Sequence, residues 1–324
     1  MTRYPIEFLS PEGAVDYLEV DGCGIVRIHT WYHAFCHERS THPSLSLNSE
    51  TIPEPMNVFR IQRMDVRQSL RTEDDFHGVI FEYLFPRPLM DPGERTIQVY
   101  WKDKCIAWLE DATSMEPPHY LHLLDGVDVF SRDSIYGSGL PVDYLNHEVL
   151  ALARSLPQPI LDFGCGTGVL AAALREGGKE CVGLELDRPE IRDHLPEDRV
   201  DFVELYAGSL PLPYDDKAFA SVIISEVLEH LDEPDSVMAE ISRICHGTLL
   251  VTVPDLSAVP LNHKNEVVPW HLLSSDHVNF FNSRSLKLFL EKWFPKVELY
   301  KIGRQITNDT QWWGNLMALA RKDD

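Results

Sequence analysis

Ile160 to Phe163 is a short apolar run that ends in Gly164, Cys165, Gly166, Thr167, Gly168, and a helix-period segment begins at Val169. Without Cβ atoms at 164, 166 and 168 a ligand can lie directly against the backbone. The N–H groups at the start of the next helix then face whatever is bound. The spacing is GxGxG, not the GxGxxG of a dinucleotide-binding turn. About 20 residues further on, Val182, Gly183 and Leu184 lead to Glu185, a carboxylate at a strand end where it can accept two hydrogen bonds from a ribose diol. Glycine turn and strand-end acid reinforce each other. Cys165 lies inside the turn, but no histidine stands at a distance in sequence that marks it as an activated nucleophile, so it reads as a small packing residue.

These residues need elements to hold them. Pro141 to Ser155 reads as a helix with proline in its first turn, followed by the strand Ile160 to Phe163 and the helix Val169 to Glu176. A strand Glu180 to Leu184 ends on Glu185. Further strands are expected near Val200 to Leu205, at Ala218 to Ser225 and at Thr248 to Val253, with a helix Pro234 to Cys245 before the last of them. A helix Ser283 to Trp293 precedes two late strands, Lys296 to Ile302 and Trp312 to Ala320, close enough to pair as an antiparallel hairpin. The alternation predicts an α/β fold: a doubly wound, seven-stranded, mostly parallel sheet whose ligands sit beyond the carboxyl ends of the strands.

At this point the sequence resembles the class I S-adenosylmethionine-dependent methyltransferases. The resemblance rests on DFGCGTG at 162 to 168, on Glu185, and on LPYDDKAFASVIISEVLEHL at 212 to 231. It covers about residues 130 to 324 and implies a Rossmann-like fold with S-adenosylmethionine as cofactor. By that resemblance the turn from Gly164 through Cys165 and Gly166 to Gly168 lies beside the methionine part, Asp162 lies near the amino group, and Glu185 binds the ribose. The adenine lies over Leu186 and near Gly208 and Ser209, and Glu226 at the end of the fourth strand joins the cofactor side. Many relatives carry an acid close to position 208, where this chain has Ala207, Gly208, Ser209.

A hydroxyl acceptor also needs a base to remove its proton. His277 is the first candidate, with Asp276 orienting it or binding a metal or hydroxyl, and His230 is the second. Each has a packing alternative: His277 as a residue that fixes its loop, His230 because the LEH ending recurs across relatives of differing chemistry. The stretch from Asp255 to His271, with His263 and Trp270, is long enough to form a lid, and Tyr136 to Gly139 reads as a cover over the cofactor or as a plain linker. No metal is assigned.

Residues 1 to 125 have a different grammar. Short alternating segments at Gly24 to Phe35, Val58 to Met64, Val79 to Phe85, Thr96 to Trp101 and Cys105 to Leu109 predict an antiparallel β-sandwich accessory domain, with 126 to 324 as the second domain and the boundary between 112 and 135. His29, His33 and His37 share one face, but no carboxylate or cysteine ligand at a characteristic spacing joins them. With Arg63, Met64, Asp65, Val66 and then Gly78, Val79, the segment resembles a β-sandwich module attached to enzymes of bacterial surface glycans. That resemblance implies docking of a glycan, a partner enzyme of glycan assembly or another protomer; the alternative is a scaffold with no ligand.

The 324 residues are 44% apolar and 25% charged, as in an ordinary globular protein. Lys plus Arg is 29 and Asp plus Glu is 51, so the formal net charge is −22. Such a field repels phosphate backbones and disfavours nucleic-acid partners. No apolar segment approaches the roughly 20 residues of a membrane span, and the expected location is cytoplasmic with no membrane insertion. The cysteines at 23, 36, 105, 165, 181 and 245 form neither a disulfide framework nor a zinc site. The expected function is methyl transfer from S-adenosylmethionine to an oxygen of a sugar or carrier-linked glycan. The alternatives are methylation of a diffusible metabolite at O, N or C, and a non-catalytic cofactor-binding adaptor in glycan assembly.

Overall fold

The computed structural model describes residues 2–5, 13–20, 25–32, 42–47, 50–52, 54–71, 75–84, 95–101, 104–111, 144–259, 270–274, 276–307 and 310–322. The chain divides into two compact units, Met1–Leu121 and His122–Asp324. The expected cover at Tyr136 to Gly139, the centre of the lid including His263, the histidines at 33 and 37, and the cysteines at 23 and 36 lie outside the described residues.

The first unit holds two antiparallel sheets. One has β1 (Thr2–Pro5), β2 (Gly13–Val20), β3 (Ile25–Tyr32), β6 (Asn57–Ile61) and β7 (Gly78–Leu84) in the order β1–β2–β3–β7–β6; the other has β4 (Ser44–Leu47), β5 (Glu50–Ile52), β8 (Arg95–Trp101) and β9 (Lys104–Asp111) in the order β5–β4–β8–β9. Alternation along β6 places Asn57, Phe59 and Ile61 inward, as a strand with one buried face requires. The segment expected at Val58 to Met64 ends its strand at Ile61, and Met64–Leu70 forms a helix, α1, that the sequence reading did not foresee. His29 lies in β3, and its Nε2 meets Glu19 Oε2 across the β2–β3 pair at 2.9 Å.

The second unit opens with α2 (His147–Ala153), shorter than the predicted helix because Asn146 caps it, its side chain accepting from the amides of Glu148 and Val149. Then follow β10 (Ile160–Phe163), α3 (Val169–Glu176), β11 (Cys181–Leu186), α4 (Pro189–Arg192), β12 (Val203–Tyr206), β13 (Phe219–Ser225), α5 (Pro234–Ile244), β14 (Cys245–Pro254), α6 (Trp270–Leu273), α7 (Ser283–Glu291), β15 (Lys296–Thr307) and β16 (Thr310–Arg321). Asn282 and Ser285 form a capping box that starts α7. The strand order is β15–β16–β14–β13–β10–β11–β12. β10 to β14 run parallel, and β16 pairs antiparallel with both β14 and β15, so the late hairpin forms as the closeness of its strands in sequence predicts.

All four residues of β10 are buried, as are the first six of β13, which explains why neither strand shows polar alternation in sequence. The chain leaves β10 towards β11 and β12 on one side, then returns to place β13 and β14 on the other. The direction therefore reverses between β10 and β13. In open parallel sheets the crevice beyond the carboxyl ends of such a strand pair is where ligands bind. Gly164 and Glu226 are the residues that follow those two ends.

Candidate functional site

Phe163 hands the chain to a turn in which Gly164, Gly166 and Gly168 all have positive φ, 73°, 57° and 78°. The three glycines do different work. A Cβ on Gly164 would lie 2.4 Å from Val227 Cγ2, and one on Gly168 would lie 2.5 Å from Val203 Cγ2, whereas one on Gly166 would meet nothing within 4 Å among the described residues. The open cradle expected over all three is therefore confined to Gly166. Gly164 lets the segment after β13 close against the turn, and Gly168 lets β12 pack beneath it. Cys165 Sγ would lie 2.6 Å from a Cβ on Gly183, so the thiol packs against the glycine of β11. Burial pushes that thiol far above its ordinary range, and the charges of Asp162 and Glu185 add to the effect.

Two acids flank the cradle. Glu185 is buried in β11; its Oε2 accepts from Gly166 N at 2.7 Å and its Oε1 from Leu186 N at 2.8 Å and Arg188 Nη2 at 3.4 Å. The strand-end acid thus holds the floor of the glycine turn. Next to it Leu186 is 38% exposed, an apolar shelf, and Gly208 at φ 82° stands close enough that a Cβ there would lie 2.9 Å from Leu186 Cδ2. Asp162, on β10, is 2% exposed, and its Oδ2 has no hydrogen-bond partner. Burial, then the charge of Glu185, pushes the Asp162 carboxyl up to about 7, against a smaller opposing effect of the Ala171 amide.

A second cluster stands where Val227 closes on Gly164. Glu226, at φ 54°, is fixed through its amide to Thr252 O and Oγ1, both at 3.1 Å, and its Oε2 accepts from Asn315 Nδ2 at 2.9 Å. Glu229 is fully buried, with neither carboxylate oxygen hydrogen-bonded. Burial and the charge of Glu226 hold its carboxyl well above the usual range. The loop before α7 is laced onto this segment: Val278 N and Asn279 N donate to Glu229 O at 2.8 and 3.0 Å, and Asn279 Nδ2 donates to Leu228 O at 2.9 Å and Leu231 O at 2.6 Å. The lacing brings His277 to His230, their ring centroids 4.7 Å apart. His230 Nδ1 faces Asp276 O at 3.2 Å and Asp276 Oδ2 at 3.4 Å, and Ser274 Oγ donates to Asp276 Oδ1. His271 Nδ1 lies 2.7 Å from His277 Nδ1, and burial followed by the charge of His277 lowers His271 to about 4.

The structure places His230, Asp276 and His277 in this one cluster, and Asp162, Gly164, Cys165, Gly166, Gly168, Glu185, Leu186 and Gly208 around the glycine turn. Ser209 is exposed beyond Gly208. Glu226, assigned from sequence to the cofactor side, acts electrostatically on Glu229. Sequence reasoning did not single out Asn279 or His271 as site residues, nor Glu229 as one without a partner. Glu229, His230 and His277 offer ligand atoms that all lie within 4.8 Å of one another, a grouping not expected from sequence.

Residues 141–293 match the family described as methyltransferase domain. Among curated proteins, the chain is 37% identical over 105 residues to methyltransferase GfsG of Streptomyces halstedii, covering 30% of this chain and 37% of that protein. It is 30% identical over 94 residues to the ubiquinone biosynthesis O-methyltransferase of Proteus mirabilis (strain HI4320), covering 26% of this chain and 36% of that protein. The chain thus spans little more than a third of the length of these relatives. Among solved structures, it is similar to a SAM-dependent methyltransferase from Archaeoglobus fulgidus, at 20% identity and a TM-score of 0.37 over 50% of this chain and 85% of that one. The matched residues lie within the second unit, and S-adenosylmethionine is the methyl donor that the match implies. The residues present fit such a group: open space over Gly166, a buried carboxylate oxygen on Asp162 that lacks a partner, a strand-end acid and the exposed shelf of Leu186.

Proposed function

We propose that the protein is an S-adenosylmethionine-dependent methyltransferase that acts on a hydroxyl oxygen of a sugar or another small, carrier-linked acceptor. When bound, the cofactor supplies a methyl carbon made electrophilic by its sulfonium. What remains for the protein is to align the acceptor with that carbon and to deal with the hydroxyl proton. Gly164 to Gly168, Asp162 and Glu185 hold the donor; His277 and His230, steadied by His271 and Asp276, face the acceptor and take its proton.

The observation that carries this reading is the close approach of Val227 to Gly164, because the residue packed on the glycine turn leads within three positions to Glu229 and His230. An amine or thiol acceptor has less need of such a base, whereas a hydroxyl needs its proton removed in the transition state. The relative from Proteus mirabilis is named for O-methyl transfer. The net charge of −22 disfavours nucleic acid as substrate. Among the described residues no helix is long and apolar enough to cross a membrane. In the first unit, the sequence resemblance to modules of surface-glycan enzymes supports docking of a carrier-linked acceptor, a partner enzyme of its assembly or a second protomer.

The test is turnover of labelled methyl donor with hydroxyl-bearing sugars and their carrier-linked forms. His277→Ala is expected to leave donor affinity unchanged in calorimetry and to lower turnover by about 100-fold or more, the low end for loss of a general base. Wild-type binding of the donor with no methylated product from any hydroxyl acceptor would return the protein to the adaptor reading. Glu185→Ala is expected to weaken donor binding by about 1 to 3 kcal/mol, as for loss of a charged hydrogen-bond acceptor. An unchanged titration would remove Glu185 from the ribose.

A further inference from the structure

We propose that Glu229, His230 and His277 form a binding site for one divalent transition-metal ion on the acceptor side of the pocket. Two imidazoles and one carboxylate, all offering ligand atoms within 4.8 Å of one another, are a donor set of mixed nitrogen and oxygen. Such a set suits manganese, iron, cobalt or zinc better than magnesium or calcium, which favour oxygen alone.

Four observations carry the assignment. First, His230 Nε2 and Glu229 Oε1 are 4.0 Å apart, too far for a hydrogen bond but close to the separation of two ligands that each sit about 2.1 Å from a shared ion. Second, Glu229 is 0% exposed and among the described residues neither oxygen has a donor within hydrogen-bond distance, its interacting neighbour being the Glu226 carboxyl; a buried carboxylate rarely tolerates this without a compensating group. Third, a further carboxylate stands at the same cluster, Asp276 with its Oδ2 3.4 Å from His230 Nδ1, so the surroundings suit a cation. Fourth, the far side of each ring is already engaged. His230 Nδ1 is turned to Asp276 O and Oδ2, and His277 Nδ1 to His271 O at 3.1 Å. In the tautomer that donates from Nδ1–H, His230 to Asp276 and His277 to His271, whose O and Nδ1 lie at 3.1 and 2.7 Å, the lone pair of each imidazole is on Nε2, and such backing is the usual outer support of a histidine ligand.

Three protein ligands leave coordination positions for water or an acceptor oxygen. An ion there would lower the pKa of a bound hydroxyl, and with both imidazoles committed as ligands it would take over from them the task of easing that proton's release to water before or during methyl transfer. An acceptor with two adjacent oxygens could occupy two positions at once, which selects diols or their aromatic equivalents. This role rests on the hydroxyl-acceptor reading above; the binding of the ion does not.

The experiment uses the full chain stripped with a chelator and dialysed against Mn²⁺ or Co²⁺, with bound metal measured by elemental analysis and by the visible absorption of Co²⁺. One ion per chain is expected, and Glu229→Gln and His277→Gln are each expected to weaken it by about 100-fold or more while donor affinity in calorimetry stays the same. His230→Gln, at a site half open to solvent, provides the same readout should the buried substitution prevent folding. A folded wild-type protein that takes up no ion, or equal affinity in all three variants, overturns the site. Metal uptake in a protein that fails to bind the methyl donor would sustain this inference and sink the proposed function; donor binding without metal uptake would do the reverse.

Discussion

Gly166→Val is expected to abolish binding of S-adenosylmethionine, by about 100-fold or more in calorimetry, in a protein that remains folded. At φ 57° any side chain is strained, and a β-branched one more so, at a local cost on the order of 1 to 3 kcal/mol. The added Cβ meets no atom of the described residues within 4 Å, so the side chain stands in the open space of the cradle itself. Gly166→Ala is the milder form and should weaken binding with less strain. Gly164→Ala and Gly168→Ala make the opposite comparison. Their Cβ atoms would run into Val227 at 2.4 Å and Val203 at 2.5 Å, so these variants are expected to lower the unfolding midpoint first. Undiminished donor affinity in a folded Gly166→Val protein would place the cofactor elsewhere. Equal effects of the three alanine variants on stability and affinity would show that the cradle is not confined to Gly166.

The contrast among these glycines also shows where sequence reading stops. DFGCGTG announces a tight strand-to-helix turn because glycine is the residue that accepts positive φ without strain. Which glycine faces a ligand depends on Val203 and Val227, residues of later segments whose approach no local pattern encodes. The same holds for the second cluster. Glu229 and His230 are legible as an acid and a base closing an apolar segment, yet their meeting with His277 is made by Asn279, whose side-chain amide bonds the carbonyls of Leu228 and Leu231. Long-range lacing of that kind leaves no periodicity to read. The late hairpin was legible because its two apolar strands lie close together in sequence. The helix Met64–Leu70 was not, since it is only seven residues long and carries one fully buried side chain, Val66.

Donor affinity is expected to rise with pH by about tenfold per pH unit between pH 5 and 7 and to level off above 7. The Asp162 carboxyl is pushed up to about 7 by burial, so in the ligand-free protein below that pH it carries a proton. A cationic amino group placed against Asp162 needs the carboxylate, and binding below pH 7 must therefore release one proton. Above roughly pH 8 the donor's own α-amino group, of ordinary pKa about 7.7 to 8.0, loses its charge and the affinity turns down. The stability of the ligand-free protein moves the other way. A carboxyl whose folded pKa is raised from 3.8 contributes stability that is fully present below about 3.8 and is lost as pH rises through about 7. At about 1.4 kcal/mol per pH unit, that loss has a ceiling of roughly 4 kcal/mol. Asp162→Asn removes the ionisable group, so it is expected to raise the unfolding midpoint at pH 8 relative to wild type while it weakens donor binding and flattens the pH dependence between 5 and 7. Calorimetry across that range, with buffers of different ionisation enthalpy to count the released proton, is the measurement. A pH slope that persists unchanged in Asp162→Asn would assign the proton to another group and remove Asp162 from the amino end of the cofactor.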